Sequence, residues 1–150
     1  MKAILKTKIS DRIAKGHPWI YNNELNTIDP AAMPGDIVDV YNAKANFIGR
    51  GFYNPASQIV IRLLTRDQNE AINEDFFFRK ISECRAYKAK LGYVENCRLV
   101  FGEADGLPSL IIDKFNDYFV LQTMALGIDI WKPAIVNALQ KIFSPKGIYE

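Results

Sequence analysis

The chain has 150 residues, of which 49% are hydrophobic and 24% charged, and its formal net charge is +2. This composition is typical of a globular protein with one domain or two small ones. No apolar run approaches the roughly 20 residues of a membrane span, and the first residues lack the apolar core of a secretory signal, so we expect a cytoplasmic protein without a membrane partner. Two cysteines and a single histidine exclude a disulfide framework and predict no metal site.

Positive charge is concentrated at the start of the chain. The first 15 residues contain five basic residues and one acidic residue, Asp11. The excess suits a small surface that faces phosphate groups. A lysine-rich edge strand exposed to solvent explains the same charges equally well.

The chain up to about residue 70 consists of short apolar runs separated by turn signals. The predicted strands are KAILK, DIVDVY, NFIGRGF and QIVIRLL. Residues 42–46 connect two of them as a hairpin, and Asn54-Pro55 with Ser57 separates the next pair. Several short strands at this spacing predict a small barrel or sandwich.

Beyond residue 70 the apolar period becomes helical. A stripe of apolar residues predicts a helix of about four turns that ends at Gly92, with members Phe77, Ile81, Cys84, Tyr87 and Leu91. The rest indicates strand, turn, strand, helix, strand, with the helix at about residues 128–143. The fold class is therefore α+β.

The last residues, GIYE, begin an apolar strand that stops at Glu150. We interpret this as a fragment of a longer protein, the alternative being a natural C-terminal strand. A severed strand would expose Ile148 and Tyr149 or pair with another chain, which predicts a possible homodimer.

Four motifs together resemble a known family. KGHPWIYNNEL, PGDIVDVYNAKANFIGRGFYNPASQIVIRLLT, RLVFGEADGLPSLIIDKF and GIYE are similar to the N-terminal part of the bacterial class I S-adenosylmethionine-dependent methyltransferases that make 5-methylcytosine in large-subunit (23S) ribosomal RNA. The similarity covers nearly the whole chain in order. One departure is Ser109, where the family has a second glycine, and a strand position would accept serine.

The resemblance implies the domain organisation. It predicts a PUA-like β pseudo-barrel that binds RNA at residues 1–72, a connecting helix at 73–92 and a small α+β domain of the strand-strand-helix-strand (EEHEE-like) kind at 93–150, truncated at its end. A Rossmann-like catalytic domain would follow residue 150. S-adenosylmethionine would serve the full-length enzyme, whose nucleophilic cysteine belongs to that later domain. No glycine-rich cofactor turn occurs in this chain, so we expect this part alone to bind no cofactor and to be catalytically inactive.

RNA-binding residues are predicted in two places. The first is the basic start. The second is the stretch GRGFYNPASQIVIR, which offers a cation, a ring for stacking and short polar groups. Gly49 and Gly51 there indicate a bulge or the close approach of another backbone, which would suit a nucleic-acid phosphate or the backbone of a ligand. The complete set is Lys6, Lys8, Arg12, Lys15, His17, Arg50, Tyr53, Asn54, Ser57 and Arg62.

Some of these residues have structural alternatives. His17 lies in Gly-His-Pro-Trp, which either forms a corner that docks on the barrel or contacts RNA. Tyr53 stacks on a base, closes the barrel or does both. Cys84 on the helical stripe is expected to be a core residue. The function predicted is RNA recognition within an rRNA cytosine-C5 methyltransferase; the alternatives are a freestanding RNA-binding adaptor and a protein-interaction barrel.

Overall fold

The chain folds into two compact units, Met1–Ala71 and Ile72–Glu150. The computed structural model describes residues 1–6 and 10–150. Each unit combines strands with helices, and the predicted α+β class is confirmed.

The first unit is built around one curled six-stranded sheet. Its strands are β1 Lys2–Leu5, β2 Trp19–Tyr21, β3 Leu25–Ile28, β4 Ile37–Tyr41, β5 Phe47–Tyr53 and β6 Ile59–Thr65, and a short helix, α1 Asp11–Ala14, precedes β2. The strand order is β2-β6-β5-β4-β1-β3. Neighbours pair antiparallel except β1 and β4, which are parallel.

Asparagine side chains form the two predicted turns of this sheet. Between β4 and β5, Asn42 Oδ1 accepts hydrogen bonds from the backbone amides of Lys44 and Asn46, each at 2.9 Å. Between β5 and β6, Asn54 Oδ1 accepts from the amide of Ala56 at 3.0 Å. Such side-chain acceptors replace a backbone turn bond, which is why asparagine is favoured at these positions.

Alternate strand positions supply the core of the first unit. In β4, Val38 and Val40 are fully buried while the residues on either side are half-buried. The cluster continues across the other strands and α1, with Ala3, Leu5, Ile13, Ile20, Tyr53, Val60, Ile61 and Leu63. The sequence pattern does not predict β2 and β3, because at three and four residues they are too short for an alternating pattern to stand out.

Gly51 lies at a bulge where β5 and β6 come unusually close. The strand register shifts between Arg50 and Gly51, as the glycine pair predicted. A Cβ at Gly51 would lie 2.6 Å from Arg62 C and 2.7 Å from Leu63 Cα. The backbone that fills this space is therefore the chain's own neighbouring strand, and the expectation of a ligand backbone at this position was wrong.

The second unit places helices against a four-stranded sheet. Its strands are β7 Asn96–Phe101, β8 Leu110–Phe115, β9 Tyr118–Thr123 and β10 Gly147–Tyr149, and its helices are α2 Glu74–Lys90, α3 Leu126–Ile130 and α4 Lys132–Phe143. The strand order is β10-β9-β8-β7. Three strands precede the helices α3 and α4, one more than the predicted strand-strand-helix-strand arrangement.

Helix α2 begins and ends at the residues that capping chemistry favours. Asn73 Oδ1 accepts from the amide of Phe76 at 2.9 Å, and Gly92 follows the helix with φ +82°. The start of the predicted stripe is buried, at Phe77, Ile81 and Cys84. Its last two members, Tyr87 and Leu91, are more than half exposed, so only the first three turns of α2 contribute to the core.

The helix predicted at about residues 128–143 is interrupted. Trp131 separates α3 from α4, and Pro133 lies in the first turn of α4, where a missing N–H costs nothing. Because proline would clash with a preceding helical turn, one continuous helix cannot form here. Ser144, with φ +47°, ends α4. In the described part of the chain, no helix has both the length and the apolar character that a bilayer-spanning segment requires.

The strand β10 is paired within the chain. Ile148 lies opposite Phe119 in a parallel pairing with β9, so one edge of the predicted severed strand already has a partner. Tyr149 is 60% exposed, and its ring centroid lies 6.3 Å from that of Tyr118. The homodimer stays a prediction.

Ser109 occupies a turn rather than a strand. It precedes β8 with φ +65° and is only 8% exposed. This left-handed backbone conformation is costly for any residue with a Cβ, so the explanation that a strand tolerates serine was wrong. A glycine at this position would suit this backbone.

We expect Ser109→Gly to raise the free energy of unfolding by about 0.5–1 kcal/mol. The gain is the relief of left-handed strain, about 1–2 kcal/mol, less the greater freedom of glycine in the unfolded chain. Urea denaturation of the two proteins measures it. Ser109→Ala keeps the Cβ and is the matched control, for which no gain is expected; an equal gain in both variants would contradict the backbone explanation.

Candidate nucleic-acid interface

Three rings lie in a row along β2 and the residues before it. His17, Trp19 and Tyr21 alternate along the chain with the fully buried Ile20 and are themselves half-buried. The rings meet edge to face, with centroids 5.1 Å apart for His17 and Trp19 and 6.5 Å apart for Trp19 and Tyr21. We call His17, Trp19 and Tyr21 the aromatic strip. Partly exposed rings of this kind can stack on unpaired bases.

Arg12 holds the aromatic strip in place. Its Nη1 lies 3.0 Å from His17 Nδ1 and donates to Trp19 O at 2.7 Å, and its guanidinium lies 4.8 Å from the centre of the Tyr21 ring. The Trp19 amide also donates to His17 Nδ1, at 3.2 Å. Two donors on one ring nitrogen favour the tautomer whose proton is on Nε2. These contacts support the structural interpretation of His17.

Glu24 forms an ion pair with Arg12. Its carboxylate accepts from Ser10 Oγ at 2.6 Å, from Arg12 Nη2 at 2.8 Å and from the Tyr21 amide at 2.8 Å. Burial, the largest single influence, raises the pKa of Glu24, but these hydrogen bonds and the Arg12 charge together lower the pKa below 4.5. The carboxylate therefore offsets the Arg12 charge, and the prediction that Arg12 contacts a phosphate stays untested.

A polar groove opens beside Tyr21. It has a volume of about 510 Å³ and lies between the start of the 3-10 turn after β2 and the β5–β6 turn, with lining residues Tyr21, Asn22, Asn23, Pro55, Ala56, Ser57 and Gln58. The Asn22 amide donates to Gln58 O at 3.0 Å and joins its two sides. We call this the amide groove, because its exposed Asn and Gln side chains can donate to and accept from base edges.

The lysines predicted to contact phosphate are placed as follows. Lys6 and Lys15 are exposed, and the Lys6 amide donates to Glu24 O at 2.9 Å. Lys8 lies outside the described residues. Lys6 is thus bound to Glu24, whose carboxylate also accepts from the amide of Tyr21 in the aromatic strip. This contact supports a position for Lys6 near the strip.

Arg50 is held in an internal ion pair. Its Nε donates to Asp39 Oδ1 at 2.5 Å across β4 and β5, and its Nη1 donates to Glu70 O. The hydrogen bond to Asp39 raises the pKa of Arg50 above its usual value. The guanidinium already has acceptors on two sides, so its predicted role in RNA binding has no support in this geometry.

Tyr53 is a core residue. It is 8% exposed and belongs to the cluster inside the first unit, and its backbone pairs with Ile61 of β6. No face of a ring buried to this extent is open to a base. Of the two roles predicted for Tyr53, this core position fits closing the barrel, and base stacking has no support in this geometry.

The other predicted residues lie in or near the β5–β6 turn. Ser57 Oγ accepts from the Ile59 amide at 3.2 Å and lines the amide groove. Asn54 shapes the turn itself, and Arg62 Nη1 donates to Ile59 O at 3.1 Å. Ser57 is thus the one residue of GRGFYNPASQIVIR in the predicted set that the structure brings to the groove.

Sequence reasoning missed most of this surface. It indicates a packing anchor at Trp19 and predicts no role for Tyr21, Asn22, Asn23 and Gln58. The available signal was alternation in HPWIY, which puts three rings on one side of a strand. Arg66 was also missed; its Nη2 donates to Ile13 O and His17 O, each at 3.1 Å, and so fixes the end of α1 and the His17 corner.

Neither cysteine is an activated nucleophile. Burial, with a contribution from Asp105, raises the pKa of Cys84 to about 11, and partial burial raises that of Cys97. A catalytic thiol needs the opposite shift. Among residues 1–6 and 10–150, no three His, Cys, Asp or Glu side chains are grouped so that they could hold a metal ion.

Comparison of the sequence with protein-family models identifies the class of domain that the first unit resembles. Residues 3–66 match the family model of the PUA-like domain. The first unit is therefore similar to the PUA-like domain over most of its length, and the aromatic strip and the amide groove both lie within the matched residues.

Particular relatives extend the similarity to nearly the whole chain. It is 36% identical over 141 residues to "Ribosomal RNA large subunit methyltransferase I" of Klebsiella pneumoniae (strain 342), which covers 92% of this chain and 35% of that protein. The protein of that name from Aliivibrio fischeri (strain MJ11) is 37% identical, and the match covers 92% of this chain and 36% of that protein. The chain thus spans little more than a third of the length of these relatives.

Solved structures show the same fold. SMU.776, assigned as a methyltransferase and crystallised with SAH, superposes with a TM-score of 0.81 at 13% identity, over 99% of this chain and 40% of that chain. A protein from Streptococcus mutans assigned as a SAM-dependent methyltransferase also superposes with a TM-score of 0.81 at 13% identity. The match covers 97% of this chain and 38% of that chain. At this identity the agreement concerns the fold alone.

Proposed function

We propose that the first unit binds ribosomal RNA through the aromatic strip and the amide groove. The observation that carries the proposal is the row of three half-buried rings that ends at Tyr21, where the groove begins. Trp19 and Tyr21 stack on unpaired bases and His17 positions them, while Asn22, Asn23 and Gln58 recognise base edges. Lys6 and Lys15 add attraction to phosphates that does not depend on sequence.

The same proposal gives the complete protein an activity. It transfers a methyl group from S-adenosylmethionine to C5 of a cytosine in large-subunit (23S) ribosomal RNA, in the cytoplasm. Support comes from the identity of 36–37% to ribosomal RNA large subunit methyltransferases I and from the fold shared with a protein crystallised with SAH.

The described residues of this chain do not fit a site for S-adenosylmethionine. Such cofactors are held at a glycine-rich turn between a parallel strand and a helix. The connection from β9 to α4 has one glycine, Gly127, and neither Cys84 nor Cys97 is activated. We therefore assign this chain RNA recognition and no step of methyl transfer. Isothermal titration with S-adenosylmethionine is expected to detect no binding to the 150-residue chain, and stoichiometric micromolar binding would contradict this.

Two double variants separate the parts of the RNA surface. Asn23→Ala/Gln58→Ala removes two exposed amides, each worth about 1 kcal/mol in a hydrogen bond, so we expect roughly thirtyfold weaker binding with an unchanged salt dependence. Lys6→Gln/Lys15→Gln is expected to flatten the plot of log affinity against log salt by about 0.7–0.9 for each phosphate that a lysine no longer neutralises. Fluorescence anisotropy with a large-subunit rRNA hairpin carrying an unpaired loop measures both.

The matched control for the amide variant is Asn26→Ala/Gln68→Ala. Both residues are exposed in the first unit and neither lines the amide groove. The control is expected to bind like the parent. Unchanged affinity in both test variants, with an unchanged circular dichroism spectrum, would exclude the amide groove and the two lysines as RNA contacts.

A further inference from the structure

The second unit contains a groove that the RNA surface of the first unit does not include. Its volume is about 290 Å³, and it lies between the C-terminal half of α2, the loop after it, the sheet and the end of α4. Its floor is apolar: Val94 is 62% exposed and Ile142 and Phe143 are half-buried, and they lie over the fully buried Leu99 and Phe119. At the rim, Tyr93 is 56% exposed, so an aromatic face is open to solvent.

Three cations line this groove. Arg85 and Lys88 lie on one face of α2, three residues apart, and Lys114 comes from β8. Arg85 Nη1 donates to Ile142 O at 3.0 Å and Lys114 Nζ to Val94 O at 2.8 Å. These acceptors are backbone carbonyls, and they orient the two cations without cancelling their charge.

The acidic residue of the lining is neutralised. Asp117 forms an ion pair with Lys146 at 2.8 Å. Within the two described ranges, Arg85, Lys88 and Lys114 form no ion pair with a carboxylate. The groove is therefore positively charged at its rim and apolar at its floor, which suits an anion with a flat apolar part.

We propose that this groove binds one unpaired nucleotide of the RNA strand, as a second contact site. The base lies on the apolar floor against Tyr93, and its flanking phosphates face Arg85, Lys88 and Lys114. A volume near 300 Å³ is at the low end for ligand sites and suits a single nucleotide. Base stacking on rings combined with cations along the backbone is how single strands are held. The proposal rests on the proposed function only in that the chain binds RNA.

Cys97 provides a reporter inside the groove. Its side chain is half-buried and lines the groove, whereas Cys84 is 6% exposed. Labelling of Cys97 by a maleimide is expected to slow at least fivefold when a single-stranded RNA octamer saturates the 150-residue chain. A fully paired duplex at equal concentration is expected to protect it less, because stacked and paired bases cannot reach the floor. Cys84, as an internal control, should label slowly throughout.

Affinity variants complete the test. Lys88→Gln/Tyr93→Ala changes two side chains of the groove and is expected to weaken octamer binding about tenfold, within the range of one stacked base. Lys90→Gln/Tyr149→Ala makes the same chemical changes at exposed positions of the second unit outside the groove and is expected to bind like the parent.

The outcomes separate this inference from the proposed function. If the chain binds the octamer but Cys97 labels at an unchanged rate and Lys88→Gln/Tyr93→Ala binds like the parent, the groove of the second unit is not an RNA site. The first unit then remains one. If Asn23→Ala/Gln58→Ala binds like the parent and Lys88→Gln/Tyr93→Ala does not, the groove of the second unit stands and the assignment of the amide groove as an RNA contact is wrong. Equal protection of Cys97 by duplex RNA also overturns the single-nucleotide inference, and no binding of any RNA overturns both proposals.

Discussion

Gly51→Ala is expected to lower the free energy of unfolding of the first unit by about 3 kcal/mol, the upper part of the range for overpacking. The added Cβ would overlap Arg62 O and lie 2.6 Å from Arg62 C and 2.7 Å from Leu63 Cα. All three are backbone atoms of β6 and no rotamer change can move them. The methyl group can be accommodated only if β5 and β6 separate at the bulge, which breaks backbone hydrogen bonds in the middle of the sheet.

Urea denaturation followed by tryptophan fluorescence measures this loss. The chain has two tryptophans, one in each unit, so a Trp131→Phe background leaves Trp19 to report on the first unit. Gly147→Ala is the strand control, because its Cβ would meet ring atoms of Tyr118 and Tyr149 at 3.1 Å, which can rotate away. Gly147 lies in the second unit, so this control is followed through Trp131 in a Trp19→Phe background. A change of less than 1 kcal/mol for Gly51→Ala would contradict the close approach of β5 and β6.

Local sequence signals predicted those parts of the fold that depend on neighbouring residues. The two asparagine turns and the glycine bulge follow from side-chain acceptors and missing Cβ atoms. The start of α2 also follows from a local apolar stripe. What escaped prediction depended on long-range contacts or short segments: β2 is three residues long, and the burial of Tyr53 follows from how the sheet curls.

The candidate site was predicted less well for a physical reason. Arg12 and Arg50 have the residue type of a phosphate contact, but each meets a carboxylate that is distant in sequence, Glu24 and Asp39. Pairing across 12 and 11 positions cannot be inferred from composition. The sequence shows the three rings of the aromatic strip at alternate positions. That they share one face could be predicted only by recognising a strand at Trp19.

Glu24→Ala is expected to lower the free energy of unfolding of the first unit by about 2–3 kcal/mol at pH 7. The substitution removes the acceptor of Ser10 Oγ, Arg12 Nη2 and the Tyr21 amide at once. It also leaves the partly buried Arg12 guanidinium without its carboxylate. Glu24→Gln retains one oxygen acceptor and the side-chain volume, so we expect a loss about half as large.

The matched control is Glu83→Gln. Glu83 also pairs with basic residues, Arg79 and Lys80, but its side chain is 53% exposed. Exposed pairs contribute little, and we expect a change below about 0.5 kcal/mol. If Glu83→Gln lowered the free energy of unfolding as much as Glu24→Gln, the network around Arg12 would contribute no more to stability than an exposed ion pair.

Acid should remove the difference between the parent and Glu24→Gln. The folded-state pKa of Glu24 lies below 4.5, so folding favours the ionised carboxylate. Its contribution is complete above about pH 4.5 and is lost as the pH falls through the lower folded value. Urea midpoints of the parent and Glu24→Gln, measured in the Trp131→Phe background, should therefore differ at pH 7 and converge in acid. A difference that stays constant over this range would show that the charge of Glu24 does not stabilise the Arg12 network and the aromatic strip that it holds.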